Sequence, residues 1–173
     1  LVASGGNDSF CDSGTWATTC TVSTAKDAPG GANFGGAALT INSGGALRFP
    51  DGQASSSIDL SGAITINSGG SLGQSGTTAK LSVFRGASIT QAGSMYADTA
   101  TFSATSTDIT ISGALTGNTT AMSAGSGNVT ISSTITGNIG TLSASGTVQV
   151  TGTGSIAGSV GSPLIRGRLE ASR

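Results

Sequence analysis

Few residues in this chain are equipped for chemistry. None of its 173 residues is a histidine, so the commonest general base and metal ligand is missing, and with it Ser-His-Asp and Cys-His arrangements and most zinc sites. Paired carboxylates remain as an option, because two acids suffice to hydrolyse a glycosidic bond. The acids, however, are scattered singly at Asp8, Asp12, Asp27, Asp51, Asp59, Asp98, Asp108 and Glu170. Asp98 and Asp108 fall near corners of adjoining strands, where they would either hold Ca²⁺ or cap exposed amides. Capping is the favoured reading. The glycine-rich stretches GGANFGGAA (30–38) and INSGGSLGQ (66–74) lack the Asp that the Ca²⁺-binding nonapeptide repeat requires. No metal, no cofactor and no catalytic residue is therefore expected.

Cys11 and Cys20 are the whole cysteine complement and bracket CDSGTWATTC, a stretch rich in turn formers around the lone Trp16. A local disulfide is the economical reading, with two unbonded small residues as the alternative, and a persistent disulfide belongs to an oxidising, extracellular setting. Residues that could make contacts at a surface are Trp16, Arg48, Phe49, Arg85 and Tyr96. The aromatics among them could stack on sugars, and Arg48 and Arg85 could form a small basic patch with Lys80, although a solvated surface explains them as well. Seven basic groups against eight acidic ones give a net charge of −1. That balance predicts no nucleic-acid partner, since such binding needs clustered Lys and Arg. No apolar run approaches the ~18 residues of a membrane span, so no membrane insertion is expected.

These residues have to be held by some framework, and the framework is written as a repeat. TATFSATSTDITISGALTGN (99–118) and TTAMSAGSGNVTISSTITGN (119–138) are identical at ten of twenty positions, and looser copies run from GAALTINSGGALRF (36–49) to residue 159. Self-similarity at such a period is the signature of a solenoid. The apolar residues fall into three groups per period. The first holds Ile58 and Leu60, then Leu81 and Val83, Phe102, Met122 and Leu142. The second holds Leu39/Ile41, Ile64/Ile66, Ile89, Ile109/Ile111, Val129/Ile131 and Val148/Val150. The third holds Leu47, Leu72, Met95, Leu115, Ile135 and Ile156. Triplets such as Ile109-Thr110-Ile111 have the period of two that marks a strand with one buried face. Gly, Asn and Ser between the groups suit tight corners.

The expected fold is all-β: a parallel β-helix of about six coils of ~20–25 residues, with three short strands per coil stacked ~4.8 Å apart. Residues 1–35 read as an N-terminal cap carrying the disulfide, 36–160 as the solenoid, and 161–173 as a C-terminal tail. Extra length in the early coils falls at corners, notably RFPDGQ (48–53), which is where repeat proteins place distinctive contacts.

Over residues 36–160, coils of the form xITISGALTGN resemble the Gly/Ser/Thr/Asn-rich parallel β-helices of bacterial surface proteins. These include autotransporter passengers, filamentous-haemagglutinin-like adhesins and the β-solenoid parts of pilus-associated proteins. The resemblance implies an extracellular location on the cell surface and a non-catalytic structural or adhesive role. It also implies partners that are neighbouring subunits of a surface fibre, further copies of the chain, or host and surface glycans. A carbohydrate-binding or carbohydrate-active β-helix is the alternative. A second alternative is ice binding, because Thr40, Thr65, Thr110 and Thr130 should project from one face of the coils. Ser88 and Gln149 are expected to take the equivalent place in other coils, and the array is a single column, where ice-binding solenoids resemble paired ones.

Overall fold

The computed structural model describes residues 8–50, 54–151, 154–165 and 169–171. The chain winds as a parallel β-solenoid of about seven turns, and each turn contributes one strand to each of three sides. Side A stacks Thr19–Val22, Ala38–Ile41, Ile64–Ile66, Ile89–Gln91, Ile109–Ile111, Val129–Ile131, Val148–Val150 and Leu169–Ala171. Side B stacks Ala25–Asp27, Ala46–Arg48, Ser71–Leu72, the start of Ser94–Ala104, Leu115–Thr116, Thr134–Thr136 and Ser155–Ile156. Side C stacks Asn33–Gly36, Ser56–Leu60, Ala79–Gly86, the rest of Ser94–Ala104, Thr119–Ala124, Ile139–Ala144 and Val160–Ile165. Ser94–Ala104 runs around the B–C corner without a break and joins those two sides into one 13-stranded sheet. Every strand pairing is parallel and one coil apart, so backbone amides are satisfied along the axis and like side chains stack beneath one another. At about 4.8 Å per coil the stack is about 30 Å tall.

The columns follow the sequence pattern closely. On side A, Cys20, Leu39, Ile64, Ile89, Ile109, Val129 and Val148 are in register, and all are buried. On side B the column is Leu47, Leu72, Met95, Leu115, Ile135 and Ile156. Side C differs in one place. Phe84, not Val83, stands between Ile58 and Phe102, because an extra residue between the partners of Ser56 and Ser57 shifts the register there. Val83 pairs with Ser57 and Thr101 and is only half-buried. Above Phe102 the column continues as Met122 and Leu142.

There is one coil more than the sequence pattern predicts, and the added coil, residues 19–36, takes up half of the segment expected to be a cap. Thr19–Val22, Ala25–Asp27 and Asn33–Gly36 pair with the next coil like any other. Its apolar pattern is obscured by Cys20, Lys26 and the glycines, so the segment reads as a cap; the part that covers the end of the stack is 8–18. At the other end the strands Val160–Ile165 and Leu169–Ala171 continue sides C and A beyond residue 160.

The recurring TGN corner has a steric cause. Gly117 and Gly137 have φ of 138° and 144°, a region L-residues rarely adopt. A Cβ on either would meet the carbonyl oxygen of the coil below, Ala97 O at 2.1 Å and Gly117 O at 2.0 Å. Coils can stack at strand spacing here only if this position has no side chain.

Candidate functional site

Side A carries the most regular outer surface. Within each Ile-Thr-Ile triplet the flanking residues turn inward, so the central one faces out, and the register aligns Thr21, Thr40, Thr65, Thr90, Thr110 and Thr130 in one unbroken column. Gln149 follows it, and Glu170 pairs with Gln149 in backbone register. The four expected threonines are all in the column, but Ser88 is not: Ile89 aligns with Ile109, which puts Thr90 beside Thr110. That alignment was available in the sequence. Thr21 was hidden because its coil reads as cap. Side C adds two half-buried hydroxyls, Ser123 and Ser143, stacked on the buried Ser103. Neither column contains a charge among its threonines and serines, and six rungs at ~4.8 Å give about 24 Å of side-A surface with one repeating group.

The corners beside these faces are held by side chains reaching one coil along the axis. Asp98 accepts the Asn118 amide at 2.7 Å, Asn118 accepts the Asn138 amide at 3.0 Å, and Asn138 accepts the Ser159 amide at 2.9 Å. A second file runs from Asp108 to the Asn128 amide at 2.7 Å and from Asn128 Oδ1 to the Thr147 amide at 2.7 Å. Asp98 and Asp108 thus cap corner amides, as their chemistry favours. Among the described residues no group of three or more His, Cys, Asp or Glu is clustered to hold a metal.

The remaining expected contact residues are placed less simply. Trp16 and Phe49 are buried, 5% and 2% exposed, and so cannot serve as surface platforms. Trp16 stacks on Phe34 with centroids 5.0 Å apart, and Phe49 meets the same ring edge-on at 6.3 Å. Burial of their large apolar area at the end of the stack outweighs exposure. Tyr96 is half-buried beside Thr116 and Thr136 on the outside of side B. Arg48 and Arg85 do not form a basic patch. Arg48 pairs with Asp27 of the coil below at 2.7 Å. Arg85 grips Asp59 with two bonds, Nε–Oδ1 at 2.7 Å and Nη2–Oδ2 at 2.5 Å. That carboxylate raises the Arg85 pKa further above its already high ordinary value. Of the corner 48–53, Arg48, Phe49 and Pro50 are described and 51–53 lie outside the described residues.

The N-terminal end is closed by residues 8–18. Cys11 and Cys20 are disulfide-bonded, with Cα atoms 5.1 Å apart. Asp12 accepts the amides of Ser23 at 2.7 Å and Thr24 at 2.8 Å and pairs with Lys26 at 2.7 Å. The Lys26 ammonium, together with these amides, holds the Asp12 carboxyl far below the usual carboxylate range. Sequence reasoning did not single out Asp12; only folding brings it against residues 23–26. Compared with protein-family models, curated proteins and solved structures, the chain matches none, so the geometry alone carries the functional reading.

Proposed function

We propose that the chain is a non-catalytic structural and adhesive β-solenoid working outside the cell, as part of a bacterial surface fibre, pilus or adhesin. The observation that carries this reading is the in-register hydroxyl surface on a stiff stack: the six-threonine column of side A, flanked by corner files that fix one coil to the next. Many identical weak donors and acceptors at a constant spacing suit multivalent contact with hydroxylated polymers such as glycans, where avidity comes from number. The disulfide supports an oxidising compartment. Stacking of sugars on Trp16 or Phe49 is disfavoured by their burial, which weakens the carbohydrate-active alternative. To test the proposal, beads coated with the oxidised chain would be drawn by flow over glycan-coated and protein-coated surfaces. Retention well above that of beads carrying the unfolded chain is expected, and equal retention on every surface would reject it.

The unbroken threonine column also favours a second reading, ice binding, more than a column interrupted at Ser88 would. Thermal hysteresis that disappears in Thr110→Tyr would establish it. Its complete absence in the folded chain would dismiss it.

A further inference from the structure

We propose that residues 8–18 are a removable stopper, locked by the Cys11–Cys20 disulfide, whose release frees the first coil to pair with the first coil of a second copy. The proposal deepens the structural reading above by naming a partner.

Coil 1 is an ordinary coil with one side blocked. Its residues continue the inward columns: Cys20 and Val22 lie under Leu39 and Ile41, Lys26 under Leu47, and Phe34 under Ile58. A bare coil of this kind would expose a section apolar at Cys20, Val22 and Phe34 and charged at Lys26, with rows of unpaired amides and carbonyls, a template for another chain. The stopper meets that edge at three places. On side A it runs antiparallel to the first strand, Asp12 N donating to Thr21 O at 2.7 Å and Thr21 N to Ser13 O at 2.9 Å. At the A–B corner the Asp12 carboxylate takes the Ser23 and Thr24 amides and the Lys26 ammonium. Toward side C, Trp16 O accepts the Ala37 amide at 2.6 Å, and the rings of Phe10 and Trp16 lie 5.4 and 5.0 Å from Phe34.

The Cys11–Cys20 bond is the only covalent tie between the stopper and the coil other than the chain itself. Cys20 is fully buried and Cys11 half-buried, so an attacking thiolate would reach the Cys11 sulfur. A dithiol reductant supplies two electrons and two protons; the S–S bond breaks, Cys11 and Cys20 become thiols, and the reductant leaves as its own disulfide. Losing a crosslink of this loop length should raise the open population roughly a hundredfold. Reduction exposes the same edge on every molecule, so at high concentration each freed edge meets its own kind: coil 1 of a second copy docks about a two-fold axis, with side A antiparallel to side A and side B against the partner's side C.

The test is hydrogen exchange of the full chain, oxidised and in excess dithiol, at low and high protein concentration, with sedimentation alongside. Reduction at low concentration should speed exchange of the Thr21, Ser23, Thr24 and Ala37 amides, which donate to the stopper, roughly a hundredfold and leave Ile109–Ile111 and Val129–Ile131 unchanged. Raising the concentration should restore protection and double the sedimenting mass. The stopper is overturned if reduction leaves exchange as it was, or if exchange rises along the whole stack. The partner is overturned if the edge opens and the mass stays that of one chain at every concentration. Cys11→Ser with Cys20→Ala should behave as the reduced chain does, and if that variant does not fold, the wild-type chain in dithiol decides. Failure here leaves the retention of oxidised chain on surfaces untouched, so the two readings fall separately.

Discussion

Gln91→Ile should stabilise the solenoid. Gln91 is fully buried in the inward column between Ile66 and Ile111, so an isoleucine there would repeat its neighbours. Its Nε2 donates to Gly93 O and, at 3.0 Å, to Ala114 O, while its Oε1 is buried without a protein partner. Three effects decide the sign. Removing an unpaired buried acceptor regains about 1–3 kcal/mol. Losing two neutral hydrogen bonds costs about 0.5–1.5 kcal/mol each, and the loss is softened because Ala114 O keeps the Met95 amide at 2.9 Å. Burying an aliphatic side chain in place of the amide adds about 1–2 kcal/mol. The balance favours the variant by about 1–2 kcal/mol, the sum of two gains against one partly compensated loss. Urea denaturation should show a higher midpoint with an unchanged slope. A lower midpoint would refute the reasoning and show that Oε1 has a partner, such as a bound water, that outweighs the apolar gain.

The Asp12 carboxyl, depressed in the folded chain by Lys26 and the Ser23 amide, contributes stability that is fully present above its unfolded pKa of about 3.9 and is lost as pH falls toward its lower folded value. Trp16 fluorescence should therefore hold steady from neutral pH down to about pH 4 and change only in stronger acid; a transition above pH 5, well clear of the carboxylate range, would contradict the clamp. Gly137→Val should cost about 3 kcal/mol or more, because it combines a disallowed φ with a Cβ driven into the carbonyl of the coil below, and a melting temperature within a degree or so of wild type would dispute the tight corner. Asn118→Ala, which removes the acceptor of the Asn138 amide, should cost about 1 kcal/mol, with Asn118→Asp recovering most of it; equal loss in both variants would deny that Oδ1 is the useful atom.

Much of this fold was legible because a coil repeats its own rules. Ile109-Thr110-Ile111 states a half-buried strand, Leu115 the next side, and Gly117-Asn118 the corner, and each copy restates it. Local exceptions were not legible. The register shift that puts Phe84 into the core depends on pairing with a strand 26 residues away, which no local pattern encodes. Trp16 and Phe49 looked like surface aromatics because neither falls in one of the three repeating apolar groups. Both instead pack on Phe34 near the end of the stack, where cap and long corner meet. The arginines were legible as exposed but not as neutralised, since Asp27 and Asp59 lie one coil away and become neighbours only in the stack. The threonine column was half visible: its period was read, yet one misaligned coil and one coil read as cap hid Thr90 and Thr21.

In the proposed function the hydroxyl face of side A makes the contacts. Its most direct test is retention under flow of beads carrying the oxidised chain against beads carrying Thr90→Lys with Thr110→Lys, two charges planted in mid-column on exposed or half-buried outward positions. The double variant should keep the β-sheet circular dichroism of the parent and lose most of its retention on glycan-coated surfaces. Undiminished retention by a folded double variant would contradict that function.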